Sequence, residues 1–180
     1  MNIDKEDTSI KFYTISLITA ILILLTAVTI SYRQIKRLEE SSKLVNHNII
    51  IEREIYKMFS GYAMQRTTQF DYVISGNIAF LSNRDNYKLE GDSALERLRH
   101  LTVSDPPQQA IIKQILVVRA DFLKQLEELF NLRQNSSTTD MVLNNQMAKI
   151  SVIFMKMRAL RNEMVSNVEK AFNKNNNLYS

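Results

Sequence analysis

The run from Phe12 to Tyr32, FYTISLITAILILLTAVTISY, holds twenty-one residues without a charge between Lys11 and Arg33. At about 1.5 Å of rise per residue a helix of that length covers roughly 30 Å, the thickness of bilayer hydrocarbon. The run has no polar face, which a helix packed at the edge of a soluble core would show. A cleaved signal peptide fits poorly, because the lead-in carries Asp4, Glu6 and Asp7, the apolar stretch is long, and no small-x-small cleavage site comes after it. Tyr13 and Tyr32 fall where the two interfaces would lie, and the scattered Thr and Ser can bond back to the helix backbone. Residues 1–11 are thus expected as an N-terminal tail and 12–32 as a transmembrane helix, single-pass in the sequence as given.

The chain beyond Tyr32 has few places to turn: three glycines and two prolines in 180 residues favour long uninterrupted helices. Apolar residues recur at helical spacing through Leu38, Val45, Ile49, Ile55, Tyr56, Phe59, Tyr62, Ala63, Phe70, Val73 and Ile74, which predicts a helix over 33–76. Gly76 can end it and Asn77 can cap the next, predicted over 78–103 with Phe80, Leu81, Tyr87, Leu95, Leu98 and Leu101 inward. Asp105-Pro106-Pro107-Gln108 reads as a helix start, with Asp105 as cap, Pro106 at the first position and Gln108 completing a capping box. The third helix covers 106–134. The polar stretch Asn135 to Asp140 opens a fourth over 138–173, and a short tail closes the chain at 176–180. Short connections force antiparallel neighbours. The fold expected is therefore all-α: the transmembrane helix continues into an antiparallel up-down-up-down four-helix bundle over 33–175. Because the first and fourth helices are the longest, their surplus predicts a membrane-proximal two-helix stalk.

Several chemistries are excluded or disfavoured. There is no cysteine, hence no disulfide, thiolate metal site or cysteine nucleophile. His47 and His100 have no carboxylate at ligand spacing, so no metal is expected. The net charge of +4 is spread rather than clustered, which does not suit a nucleic-acid surface. No phosphate loop, metalloprotease or nucleophile-elbow motif is present, so neither catalysis nor a cofactor is expected. On either side of the apolar run, Lys5, Lys11 and the amino terminus face Arg33, Lys36, Arg37 and Lys43, a count leaning slightly toward a cytoplasmic C-terminal part.

Val45-Asn46-His47, Tyr72-Val73-Ile74-Ser75-Gly76-Asn77 with Phe80-Leu81, and Leu98 to Thr102 leading to Asp105-Pro106-Pro107-Gln108-Gln109 resemble, in order and spacing, the marks of the third type of the CHASE family. These are the sensory extracellular domains associated with cyclases and histidine kinases. The resemblance covers about residues 44–170. The chain departs from the family pattern at Phe70-Asp71, where an Arg-Gly pair is usual, and at Pro106, where an Asn is usual. Membership implies an anchor with its N-terminus inside, in the inner (cytoplasmic) membrane, and a periplasmic or extracellular bundle. That orientation is the reverse of the charge count and is the one adopted.

The function expected is an extracytoplasmic input domain of a bacterial receptor such as a histidine kinase, signalling by relative motion of helices one and four. The alternative is a membrane-tethered adaptor bundle that binds a partner protein without signalling. A homodimer is expected because Val45, Ile49 and Ile50 leave apolar surface uncovered on a lone stalk; the extracytoplasmic ligand or partner is unidentified. Glu52, Arg66, Arg119 and Arg161 fall on or beside inward stripes, where a charge needs a partner. Arg66, Arg119 and Arg161 are thus candidates for an anion site between helices, the plainer reading being arginine stems that cover apolar surface or pair across the bundle. Val45, His47, Tyr72, Gly76, Phe80, Leu81, Asp105, Pro107 and Gln109, the positions carrying the resemblance, are expected to be structural.

Overall fold

The computed structural model describes the backbone of residues 3–135 and 137–176; Met1, Asn2, Ser136 and the tail from 177 onward lie outside the described residues. Four helices succeed one another: α1 (Ile3–Ser75), α2 (Arg84–Leu101), α3 (Pro106–Gln134) and α4 (Asp140–Asn176), with a 3-10 turn at Ile78–Leu81 between the first two. The all-α expectation holds. The chain divides into two compact units, Met1–Val45 and Asn46–Ser180, and α1 contributes residues to both.

In the first unit the backbone from Ile3 onward is helical, including the stretch expected as a tail. The apolar run is long and hydrophobic enough to cross a membrane, and none of its most apolar window is buried against protein. Thr19, Thr26 and Thr29 each turn the hydroxyl back onto a carbonyl one turn earlier, at 2.8 to 3.0 Å, so no polar group on them faces outward unsatisfied.

The second unit is the bundle. Its helix directions can be read from which residues meet. Between α1 and α2, Glu54 meets Arg97 and Tyr62 meets Asp92: as one number rises the other falls, so the two run antiparallel. Gln125 with Gln146 and Gln108 with Met164 show the same for α3 and α4. Between α1 and α3 the partners keep a constant offset of 57 residues, at Tyr62 with Arg119 and Gln69 with Leu126, so these two are parallel. This is the up-down-up-down pattern.

The core keeps a 3-4 spacing. On α1 the seam is Ile51, Ile55, Met58, Tyr62, Gln65, Gln69 and Tyr72, with Glu54, Gly61 and Val73 buried beside it. On α3 the seam is Gln108, Ile112, Ile115, Phe122, Leu126 and Leu129, and on α4 it is Leu143, Ile150, Phe154, Met157, Met164 and Val168. Repeats of this kind keep one stripe facing the neighbours and favour near-parallel packing at about 20°. Of the α1 stripe expected from the sequence, Ile55, Tyr62 and Val73 are in the core. Tyr56 and Ile74 are exposed, and Phe59, Ala63 and Phe70 pack on the flank of the core. The true seam includes two glutamines, which a search for apolar residues passes over.

Chain ends and turns also sharpen the reading. Gly76 takes φ +72°, and its N–H reaches the Tyr72 carbonyl at 2.8 Å, the left-handed stop that glycine adopts without strain. Asn77 accepts from the Ala79 N–H, but it caps the short turn Ile78–Leu81; α2 begins only at Arg84, six residues later than expected. Ser82 and Asn83, both turn formers, separate the two. Asp105 caps α3 by accepting from the Gln108 N–H at 3.1 Å, with Pro106 in the first turn. The capping box does not close: the Gln108 side chain is buried and donates to the Met164 carbonyl of α4 at 3.0 Å. Joining two helices wins over capping one. The fourth helix starts at Asp140, not 138, and continues through Asn176.

Candidate functional site

The three arginines singled out in the sequence end in two different places. Arg119, in the seam of α3, meets Asp92 of α2 in a bidentate pair, Nε to Oδ1 at 2.6 Å and Nη2 to Oδ2 at 2.5 Å. Tyr62 of α1 completes the group: its hydroxyl donates to Asp92 Oδ1 at 2.7 Å and accepts from Arg119 Nε at 2.9 Å. Burial and the Asp92 charge push the Tyr62 phenol far above its usual range, so it stays a donor. The hydrogen bond to Asp92 holds the Arg119 guanidinium firmly charged. Three helices are tied at one level, with every charge answered. Arg119 is therefore a cross-bundle strut.

About two helical turns earlier on α1, a second polar tie joins α1 to α2. Glu54, 2% exposed, accepts from Arg97 Nε at 2.7 Å and lies near Arg53 and Lys57. Burial pushes its carboxyl up, yet the bond from Arg97 and the surrounding cations outweigh this and hold it below the ordinary carboxylate range. Beside the Tyr62 group α1 and α2 touch at backbone level. A methyl group on Gly61 would come within 2.6 Å of the Gly91 nitrogen, and one on Gly91 within 2.8 Å of the Tyr62 ring. Only glycine allows this approach.

The seam between α1 and α4 is built differently. Arg66 of α1 stacks over Phe154 of α4, with its guanidinium carbon 4.2 Å from the ring centre, and lies 5.7 Å from Phe70. Arg161 of α4 stacks over Phe59 of α1 at 4.5 Å and lies 5.7 Å from Tyr56. Phe59 and Phe154 meet at 4.8 Å, so the rings lie between two cations offered from opposite helices. Such stacking on a ring face is worth about 0.5–2 kcal/mol, more as water is excluded. Arg66 Nε is buried and has no hydrogen-bond partner. Burial, and next the charge of Arg158 on α4, lower the Arg66 pKa. Arg161 donates to its neighbour Asn162. Among the described residues no carboxylate pairs with Arg66, Arg158 or Arg161. The structure thus brings Arg66 and Arg161 to one seam and sends Arg119 to another; Glu52, partly buried on α1, joins neither.

The positions that carry the family resemblance serve the frame where they are best defined. Tyr72 is buried against Phe130 and supplies the carbonyl that Gly76 uses to stop α1. Gln109 ties the end of α2 to the start of α3, donating to the Arg99 carbonyl and to Thr102 Oγ1, each at 2.9 Å. Asp105 is the cap of α3. Leu81 packs on the core, Val45 is half-buried, and Phe80, Pro107 and His47 are exposed. Three features escape sequence reasoning: the carboxylates Asp92 and Glu54, the buried glutamines, and Arg158. The acids sit among other charges in the sequence, and only the spacing from the true α1 seam would have marked Glu54 as inward.

No group of His, Asp or Glu able to hold a metal occurs among the described residues. No curated protein and no solved structure matches the chain. The model of the CHASE3 domain does match, over residues 41–177, from within α1 to the end of α4. With most of its length and all four bundle helices inside that match, the chain belongs to the CHASE3 domain family.

Proposed function

We propose that this chain is the membrane-anchored input module of a bacterial signal-transduction receptor such as a histidine kinase, with its bundle on the periplasmic or extracellular face of the inner membrane. CHASE3 domains are sensory, extracellular and non-catalytic, and the helix that enters this bundle also carries the apolar run. The signal is a small displacement of α1 relative to α4. The observation that carries this reading is the contrast between seams. The α1–α2, α2–α3 and α3–α4 seams hold hydrogen bonds or ion pairs, whereas α1 and α4 meet through rings and stacked guanidinium groups. Stacking tolerates sliding that a bidentate pair does not, so two packings differing by a few kcal/mol are most accessible here.

The absence of cysteine makes the test direct. Thr139, exposed at the turn before α4, is replaced by cysteine and intact cells are treated with a membrane-impermeant thiol reagent. Labelling from outside supports the reading; protection until the cells are opened overturns it. The module acts as a homodimer, and cysteines at Leu38 and Val45 are expected to cross-link between copies in native membranes. Strictly monomeric material would remove the dimer from the mechanism.

A further inference from the structure

We infer that Arg66 of α1 and Arg158, one helical turn from the Phe154 on which Arg66 stacks, form a binding site for a small oxyanion, a carboxylate or phosphate group. The inference rests on the sensory reading and supplies the kind of ligand that would act on it. Four observations converge on it. The cation of Arg66 is partly buried and has no acidic partner, although a desolvated charge is ordinarily paired. A second guanidinium, that of Arg158, lies on the face of α4 between Phe154 and Arg161, both of which meet α1, and its charge acts on Arg66. In the strut on the other side of α1, the same residue type at comparable burial is fully answered by Asp92. Finally, of the Arg66 nitrogens only Nε is both buried and unpartnered, so the terminal pair keeps solvent contact and can receive a ligand.

The stack on Phe154 fixes the plane of the Arg66 guanidinium while leaving its outer edge open. A planar fork held this way suits two parallel N–H···O bonds to an oxyanion. Arg158 is exposed and free to swing toward the same anion. An oxyanion between them would replace a repulsion with two attractions and draw α1 and α4 together at this level. Asp71 and Glu163, acids on the two helices, form no pair with either arginine. They do not fill the site from within.

The experiment uses the full chain in nanodiscs, with unfolding followed by circular dichroism at constant ionic strength in sodium chloride, sodium acetate or sodium phosphate. At about ten times the dissociation constant, the effective oxyanion is expected to raise Tm by about 3 °C over chloride. A rise with acetate alone marks a carboxylate ligand, and a rise with phosphate alone a phosphate ligand. Arg158→Gln, at an exposed position, is expected to leave the chloride Tm equal or slightly higher, because a repulsion is removed, and to abolish the increment. No rise with either anion, or the same rise in Arg158→Gln, overturns the site. A second measurement separates this from the sensory reading: spin labels on Met64→Cys and Met155→Cys report the α1–α4 distance. A ligand-induced Tm rise with an unchanged distance would keep the site and remove the helix motion.

Discussion

Arg119 and Arg66 present the same guanidinium to the same bundle and meet opposite fates. Arg119 finds Asp92 and the Tyr62 hydroxyl at bonding distance and ties three helices at one level. Arg66 finds two phenyl faces and another arginine. The first arrangement resists motion, because sliding by even a fraction of a turn would break a bidentate pair and leave both charges partly desolvated. The second has no directional bond to lose. In the function proposed above this is a division of labour: α2 and α3 hold α1 in place on one side, while on the other α1 and α4 shift.

The contrast can be attacked first where α1 and α2 are closest. Gly61→Ala places a methyl group 2.6 Å from the Gly91 nitrogen and 2.7 Å from the Tyr87 carbonyl, and neither backbone atom can step aside without moving its helix. Alanine gains up to about 1 kcal/mol of helix propensity over glycine, and the overpacking exceeds it. A net loss of about 3 kcal/mol is expected, measured by denaturant unfolding of the chain in micelles. A loss below about 1 kcal/mol would mean that this seam also yields easily. Next in size is Asp92→Asn, which leaves Arg119 partly buried beside a neutral amide. Both partners are about a quarter exposed, so the loss is set below that of a fully buried pair, at about 2 kcal/mol. The double variant Asp92→Leu with Arg119→Met is expected to recover most of it; failure to recover would show that the group is more than a charge pair.

How much of this is legible in the sequence depends on which signal marks each feature. Gly76, Asp105 and the apolar run announce themselves through local chemistry, and each stands where its residues put it. The seam of α1 does so only in part: Ile55, Tyr62 and Val73 are where the stripe puts them, but Gln65 and Gln69 also occupy core positions, and Gln69 hands its amide to the Leu126 carbonyl of α3. The eye is drawn instead to Tyr56 and Ile74, which face outward. Glu54 is passed over for the same reason, as a polar residue at a buried position. Arg119 and Arg161 do lie on inward stripes, but periodicity along one helix cannot reveal what stands across from it: a carboxylate for Arg119, a ring for Arg161. Partner identity is a property of register between helices, and no single stretch of sequence contains it.

Acid offers a gentler way to separate the seams. The folded pKa of Glu54 lies below its reference of 4.5, so its contribution is fully present above that value and is lost as pH falls through the folded pKa. Near neutrality Glu54→Gln is expected to lose about 1.5 kcal/mol, the scale of a hydrogen bond to a charged group. The gap between wild type and variant should close as pH falls below about 4.5. Among the described residues no carboxylate pairs with Arg158, so Arg158→Gln should show no such convergence. A Glu54→Gln gap that stays constant from about pH 7 to about pH 3 would mean that the carboxylate charge does not hold α1 to α2.

The smallest effect is the most telling. Arg66→Met keeps an unbranched, flexible side chain over Phe154 and removes the cation. It gives up a stacking interaction of about 1 kcal/mol. It also removes a buried Nε without a partner, worth about 1 kcal/mol or more when left unsatisfied, and the repulsion with Arg158. The contributions oppose one another, and a change within about 1 kcal/mol of wild type is expected, on the stabilising side if desolvation dominates. The unfolding midpoint in urea, read at an unchanged slope, decides it. A loss of about 2 kcal/mol or more, equal to that of Asp92→Asn, would make Arg66 a strut like Arg119. The α1–α4 seam would then be as firmly fixed as the others, with no physical reason for the signal to travel through it.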